Sequence, residues 1–213
     1  MTAMTPNYLA LGDSISIDDY TEVRNGGAVS QFGKLIDARL VQDLTRDGNT
    51  SGAVINSLDR VNIEPQIATV TAGGNDFLQF TFSLAGISSE ERAVRAMSEV
   101  GAIESRLEKI AIFLKKFTCP VIWSNVYDPS DGNDALAAEM GIPRELRAAF
   151  DGINDIHKSI AQRHGFILCD LEKLFHRHGV QARDTWITMQ IEPNYAGATA
   201  IAKEWRRLYA ATV

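Results

Sequence analysis

The sequence predicts a three-layer α/β/α sandwich built on a roughly five-stranded parallel sheet, and three observations predict it. Short apolar runs alternate with segments of helical spacing along the whole chain, the pattern of strand–helix–strand units that build parallel sheets covered on both faces. The 213 residues are enough for one domain with a sizeable core. Hydrophobic residues make up 45% and charged residues 23%, ordinary globular usage that argues against disorder. With no internal repeat, low-complexity tract or interdomain linker, a single domain over residues 1–213 is expected.

The first strand covers residues 8–11 and ends at Gly12-Asp13-Ser14. Residues 27–40 carry apolar side chains at Ala28, Val29, Phe32, Leu35, Ile36 and Leu40, which is helical spacing. A second strand follows at 40–44, a short helix at 51–61, and a third strand, rich in β-branched residues, at 66–71. Ser88 or Ser89 caps a long helix with Glu90 and Glu91 in its first turn and Lys115 and Lys116 in its last, a polarity that suits the helix dipole. The fourth strand is 120–124. Residues 125–142, with Pro129, Gly132, Asn133, Gly141 and several Asp, read as a long loop over the carboxyl ends of the strands, the edge where open α/β sheets bind ligands. Pro143 opens a helix to about His164, ended by Gly165. The fifth strand is 166–169, and Asn194 caps a final helix through Tyr209.

A net charge of −6 leaves no basic footprint for nucleic acid and no Lys/Arg cluster for an anionic membrane. Cys119 and Cys169 lie in apolar runs far apart, so they read as small buried hydrophobes rather than a disulfide framework, which fits a reducing compartment. Residues 1–7 lack a basic region and a long apolar core, and no stretch approaches the ~20 apolar residues of a membrane span. A cytoplasmic protein without a cofactor is expected.

Three short blocks carry chemistry. Ser14 stands at the tip of the leading strand, Gly48-Asn49-Thr50-Ser51 follows the second strand, and Gly73-Gly74-Asn75-Asp76 follows the third. All three converge on one sheet edge. Together they resemble the GDSL/SGNH hydrolase superfamily, whose blocks are Gly-Asp-Ser, a glycine, Gly-x-Asn-Asp and Asp-x-x-His. The resemblance implies flavodoxin-like connectivity and hydrolysis of a small or lipid-like ester through an acyl-enzyme on Ser14. It assigns the oxyanion donors to the backbone N–H of Ser14, the backbone N–H of Gly48 and the side-chain amide of Asn75. Asp13 and Asp76 are expected to hold loop amides.

The fourth block departs from the family: Met189 stands in the Asp position and Glu192 in the His position, while Pro193-Asn194 matches. Three arrangements fit. Glu192 is itself the base, desolvated by Met189 and Ile191 so that its pKa rises toward a useful value. Alternatively His178 is the base, oriented by Glu192, with His176 and His178 otherwise marking a helix end. In the third, the domain binds a ligand at Ser14, Gly48 and Asn75 without turning it over. His157 and His164 read as ordinary surface positions. Asp128, Asp131 and Asp134, with Glu139, read as turn chemistry rather than a calcium loop. Asp18, Asp19 and Tyr20 line the cleft mouth or a solvated turn, and Trp186 floors an acyl pocket or packs in the core. The expected partner is a small-molecule ester; oligomeric state stays open.

Overall fold

A computed structural model describes residues 5–84 and 86–212, so residues 1–4, read above for a leader, lie outside it. The chain forms β1 (Asn7–Gly12), α1 (Ala28–Leu35), β2 (Leu40–Thr45), α2 (Ser51–Ser57), β3 (Ile67–Thr71), α3 (Gly74–Phe82) and α4 (Ser89–Leu114). It continues through β4 (Val121–Ser124), α5 (Asp134–Glu139), α6 (Arg147–His164), β5 (Ile167–Cys169), α7 (Leu171–Phe175), β6 (Ile187–Thr188), β7 (Glu192–Pro193) and α8 (Tyr195–Ala210). The first five strands pair in parallel in the order β2-β1-β3-β4-β5, the doubly wound arrangement expected. The last two make a separate antiparallel hairpin.

Alternation along β1 divides the core. Leu9 and Leu11 face one layer, packed with Val54 of α2, Ile103, Leu107 and Ile110 of α4, and Ile153 and Ile160 of α6. Tyr8 and Ala10 face the other, with Phe32 of α1, Leu171 and Phe175 of α7, and Ile201 and Trp205 of α8. β1 is buried throughout while β2, at the edge, is exposed over its first half, as an outermost strand should be.

Several expectations are corrected. The helix over 27–40 stops at Leu35: Asp37 takes a left-handed φ of 51° and turns the chain into the edge strand, leaving Leu35 and Leu40 45% and 47% exposed. The loop over 125–142 contains α5, capped by the Asn133 side chain, which accepts from Ala135 N and Leu136 N. The helix from Pro143 opens with a 3-10 turn at Arg144–Leu146 before α6 begins. α3, α7 and the hairpin were not foreseen. Asp128 accepts from Ser130 N and Gly132 N and pairs with Arg147 at 2.6 Å, so this residue serves a turn and an ion pair.

Candidate active site

β1 runs down the middle of the sheet and ends at Gly12, whose φ is 148°. A Cβ there would lie 2.2 Å from the Thr71 carbonyl oxygen on β3, so only glycine lets the two strand ends close up. The chain turns immediately. Asp13, 1% exposed, accepts from Ile15 N at 3.3 Å and caps the short 3-10 turn Ser14–Ser16. Ser14 is thereby held at the carboxyl edge of the sheet, also buried.

The decisive contact joins the two ends of the chain. Ser14 Oγ–H donates to Glu192 Oε1 at 2.9 Å, across 178 positions of sequence. Glu192 reaches that place from the β6–β7 hairpin, where Thr188 pairs with Glu192. The hairpin turns through Met189 and Gln190, both left-handed with φ 47° and 71°. It is pinned on one side by the Tyr127 hydroxyl, which donates to the Ile191 carbonyl. On the other side Asn194 caps α8 through Ala196 N and Gly197 N and donates its amide to Thr185 O. Glu192 is 6% exposed, and its Oε2 has no hydrogen-bond partner among the described residues.

Burial pushes the Glu192 carboxyl up to about 7; the Ser14 hydrogen bond opposes this, and the nearby charges of Asp13 and Asp47 add to it. Asp13 is pushed up to about 6, again chiefly by burial, against the Thr71 hydroxyl and Ile15 N–H. The expected source of desolvation is partly wrong. Met189 is 72% exposed and shields nothing; Ile191 and Tyr127 line the cavity beside Glu192 instead.

Asn75 opens α3 and lines the same cavity. Its Nδ2 donates to Asn49 O at 3.0 Å, which spends one of two amide protons and leaves the other. Asp76 has the structural task expected of it: its carboxylate accepts from Ser51 N and Ser51 Oγ at 2.7 and 2.6 Å and pairs with Arg106 at 3.1 Å. Gly48 lies in the exposed turn after β2, with φ 68°, and is not among the cavity-lining residues. Its neighbour Asn49 makes the connection, donating to Gly12 O at 2.8 Å and receiving Asn75.

The structure does not bring His178 to Ser14. Its ring stacks on Trp186 at 3.7 Å, and Nδ1 lies 3.1 Å from an Asp184 carboxylate oxygen. Glu192 orients no histidine. Trp186 packs edge-on against Phe175 rather than flooring the cavity. His157 and His164 are not surface positions: His157 is fully buried and accepts from Trp123 Nε1 at 2.7 Å, and half-buried His164 meets Glu108 at 2.7 Å. Asp18 accepts from Gly27 N and Ser30 Oγ, a loop-holding task. Tyr20 does approach the site: burial, Asp47 and the Glu192 charge push its hydroxyl up to about 12. Tyr127, three residues beyond β4, was missed; a phenol so close to a strand end was the available signal. Among the described residues no cluster of His, Cys, Asp or Glu has the arrangement of a metal site.

The remaining wall is apolar, made by Phe77 and Leu78 of α3, Val126, Ile142, Phe150 of α6 and Ile191. Among the described residues no Lys, Arg or His lines the cavity.

The GDSL-like lipase/acylhydrolase family matches residues 10–200. No curated protein matches the chain. Among solved structures, phospholipase A1 from Streptomyces albidoflavus NA297 is similar with a TM-score of 0.72 at 16% identity, over 99% of this chain and 100% of the other. An acetylxylan esterase from Geobacillus stearothermophilus gives 0.71 at 16% identity, over 98% and 96%. An α/β hydrolase enzyme from the metagenome of Lake Arreo, Spain, gives 0.70 at 20% identity, also over 98% and 96%. At these identities the likeness is one of fold.

Proposed function

The chain belongs to the GDSL-like lipase/acylhydrolase family, and from that premise we propose that it hydrolyses carboxylic esters with Ser14 as nucleophile and Glu192 as the base. The observation that carries this is the 2.9 Å hydrogen bond from Ser14 Oγ to a buried carboxylate. An ordinary glutamate is too weak a base for a serine hydroxyl; one raised to about 7 is matched to neutral pH.

Ser14 Oγ attacks the ester carbonyl and its proton passes to Glu192. Negative charge grows on the carbonyl oxygen, toward Ser14 N–H, the free Asn75 amide proton and, by family resemblance, Gly48 N–H. The protonated Glu192 then gives its proton to the departing alkoxide, leaving an acyl-enzyme. Water enters, loses a proton to Glu192 and attacks the acyl carbon; Ser14 leaves with that proton. A single carboxylate suffices because it needs no partner to select a tautomer, which accounts for the loss of the family's Asp at Met189 together with its His. The apolar wall and the absence of a cation favour an uncharged acyl group that is more than acetyl.

Ser14→Ala is expected to abolish p-nitrophenyl butyrate turnover and labelling by a fluorophosphonate. Glu192→Gln should lower kcat by ~10²–10⁴, the usual worth of a general base, while His178→Ala stays within about twofold of the parent because a half-buried side chain remote from the reacting atoms is lost. Parent-like activity in Glu192→Gln puts the base elsewhere.

A further inference from the structure

His157 is a buried titratable group that ester hydrolysis as described does not use. It lies on α6, fully buried. Its Nδ1 is 2.7 Å from Trp123 Nε1 on β4. An indole N–H can only donate, so Nδ1 accepts, and the proton of the neutral ring stands on Nε2. Burial holds the pKa down to about 4, so the ring stays neutral at working pH.

Nε2 has no hydrogen-bond partner among the described residues, and the Ala72 backbone beside the ring works against the fall in its pKa. A Cβ on Gly73 would come 3.2 Å from the same Nε2. Ala72 and Gly73 are the turn between β3 and α3. Gly73 takes a left-handed φ of 101° there, and no side chain caps α3. The turn therefore has little local reason to hold its shape, and Asn75 follows two residues later.

We propose that His157 is a positioning residue, whose Nε2–H against the Ala72–Gly73 peptide fixes the turn that presents Asn75 to the carbonyl oxygen of a substrate at Ser14. The inference rests on the oxyanion reading of Asn75 given above. Trp123 sets the tautomer, His157 transmits it, and Asn49 O holds the Asn75 amide from the far side. Small displacements of an oxyanion donor are costly in rate and cheap in ground-state binding.

The test separates the two ring nitrogens. In His157→Asn the short amide can still meet Trp123 but cannot reach Ala72; in His157→Gln the longer one can. His157→Asn should lower kcat about tenfold with KM within about twofold, and His157→Gln should recover to within about threefold of the parent. In an Asn75→Ala background His157→Asn should cost nothing further. Parent-like kcat in His157→Asn, or an equal tenfold loss on Asn75→Ala, overturns the proposal. If Asn at this buried site prevents folding, imidazole ¹⁵N shifts of the unmodified protein decide: a protonated Nε2 is expected, which Trp123→Phe should redistribute, and a protonated Nδ1 overturns it. Full activity in Ser14→Ala would sink the ester mechanism instead, and leaves the tautomer result readable.

Discussion

Glu192 has two demands on it: to be charged when Ser14 gives up its proton, and to sit where charge is costly. Burial pushes its carboxyl up from 4.5 to about 7, so kcat/KM should rise with pH through about 7 and level off above it, a profile that His178→Ala leaves in place. The same shift has a consequence for stability. A carboxyl whose pKa is higher folded than unfolded binds its proton more tightly when folded. The resulting stabilisation is present below pH 4.5 and lost as pH rises to about 7. Glu192→Gln should therefore melt higher than the parent at pH 8 and close to it at pH 4; equal melting temperatures at pH 8 would contradict a raised pKa. Much of this residue was legible in the sequence, since Glu192 stands where the family places a histidine. Its environment was not. Met189 and Ile191 flank it equally in sequence, yet the hairpin turns Met189 out to solvent and Ile191 into the cavity.

At the scale of elements, long periodic segments were readable and short ones were not. α4 announces itself through the Ser88 cap and its acidic first turn, whereas α3 follows Gly73 and opens on Gly74, Asn75 and Asp76, poor helix formers, and ends with Phe82 70% exposed. What holds α3 is long-range: Asp76 ties its first turn to Ser51 of α2 and Arg106 of α4. Asp76→Ala leaves the Ser51 N–H and part of a guanidinium unpaired and should cost about 2–3 kcal/mol, moderated because Arg106 keeps Glu99 and some water. Urea denaturation gives the value; a change under ~0.5 kcal/mol, the range of ordinary surface substitutions, would deny Asp76 this task. The two-residue strands β6 and β7 show no periodicity at all. Their turn carries strain at Met189, exposed and left-handed. Met189→Asn, a residue that tolerates that conformation, should stabilise by about 0.5–1 kcal/mol and leave kcat unchanged.

At the scale of the molecule, parallel alternation was enough to foresee the sheet, and converging strand ends were enough to foresee the edge where Ser14 and Asn75 line one cavity, though not that Gly48 lies outside its lining. The alternation of β1 between two cores puts the reactive edge between two helical layers, so the cavity takes its walls from elements that no local pattern relates. Phe77 of α3 and Phe150 of α6 meet edge to face, with ring centroids 5.7 Å apart and planes at 61°, and both line the cavity at Ser14. Each belongs to a helix predicted or missed for its own reasons; their shared task exists only in the fold. If the acyl chain of a substrate runs along this wall, the pair stops it. Phe150→Ala opens room for a few methylenes, each worth ~0.8 kcal/mol when buried, so the kcat/KM ratio of octanoyl to acetyl p-nitrophenyl esters should rise by about tenfold. The parent measured beside it, and Phe150→Leu as a milder truncation, control for the ~3–5 kcal/mol that losing a buried phenyl costs the fold. A ratio that stays put in both variants, with turnover intact, would mean that the acyl group leaves Ser14 in another direction and that this wall packs the helices and nothing more.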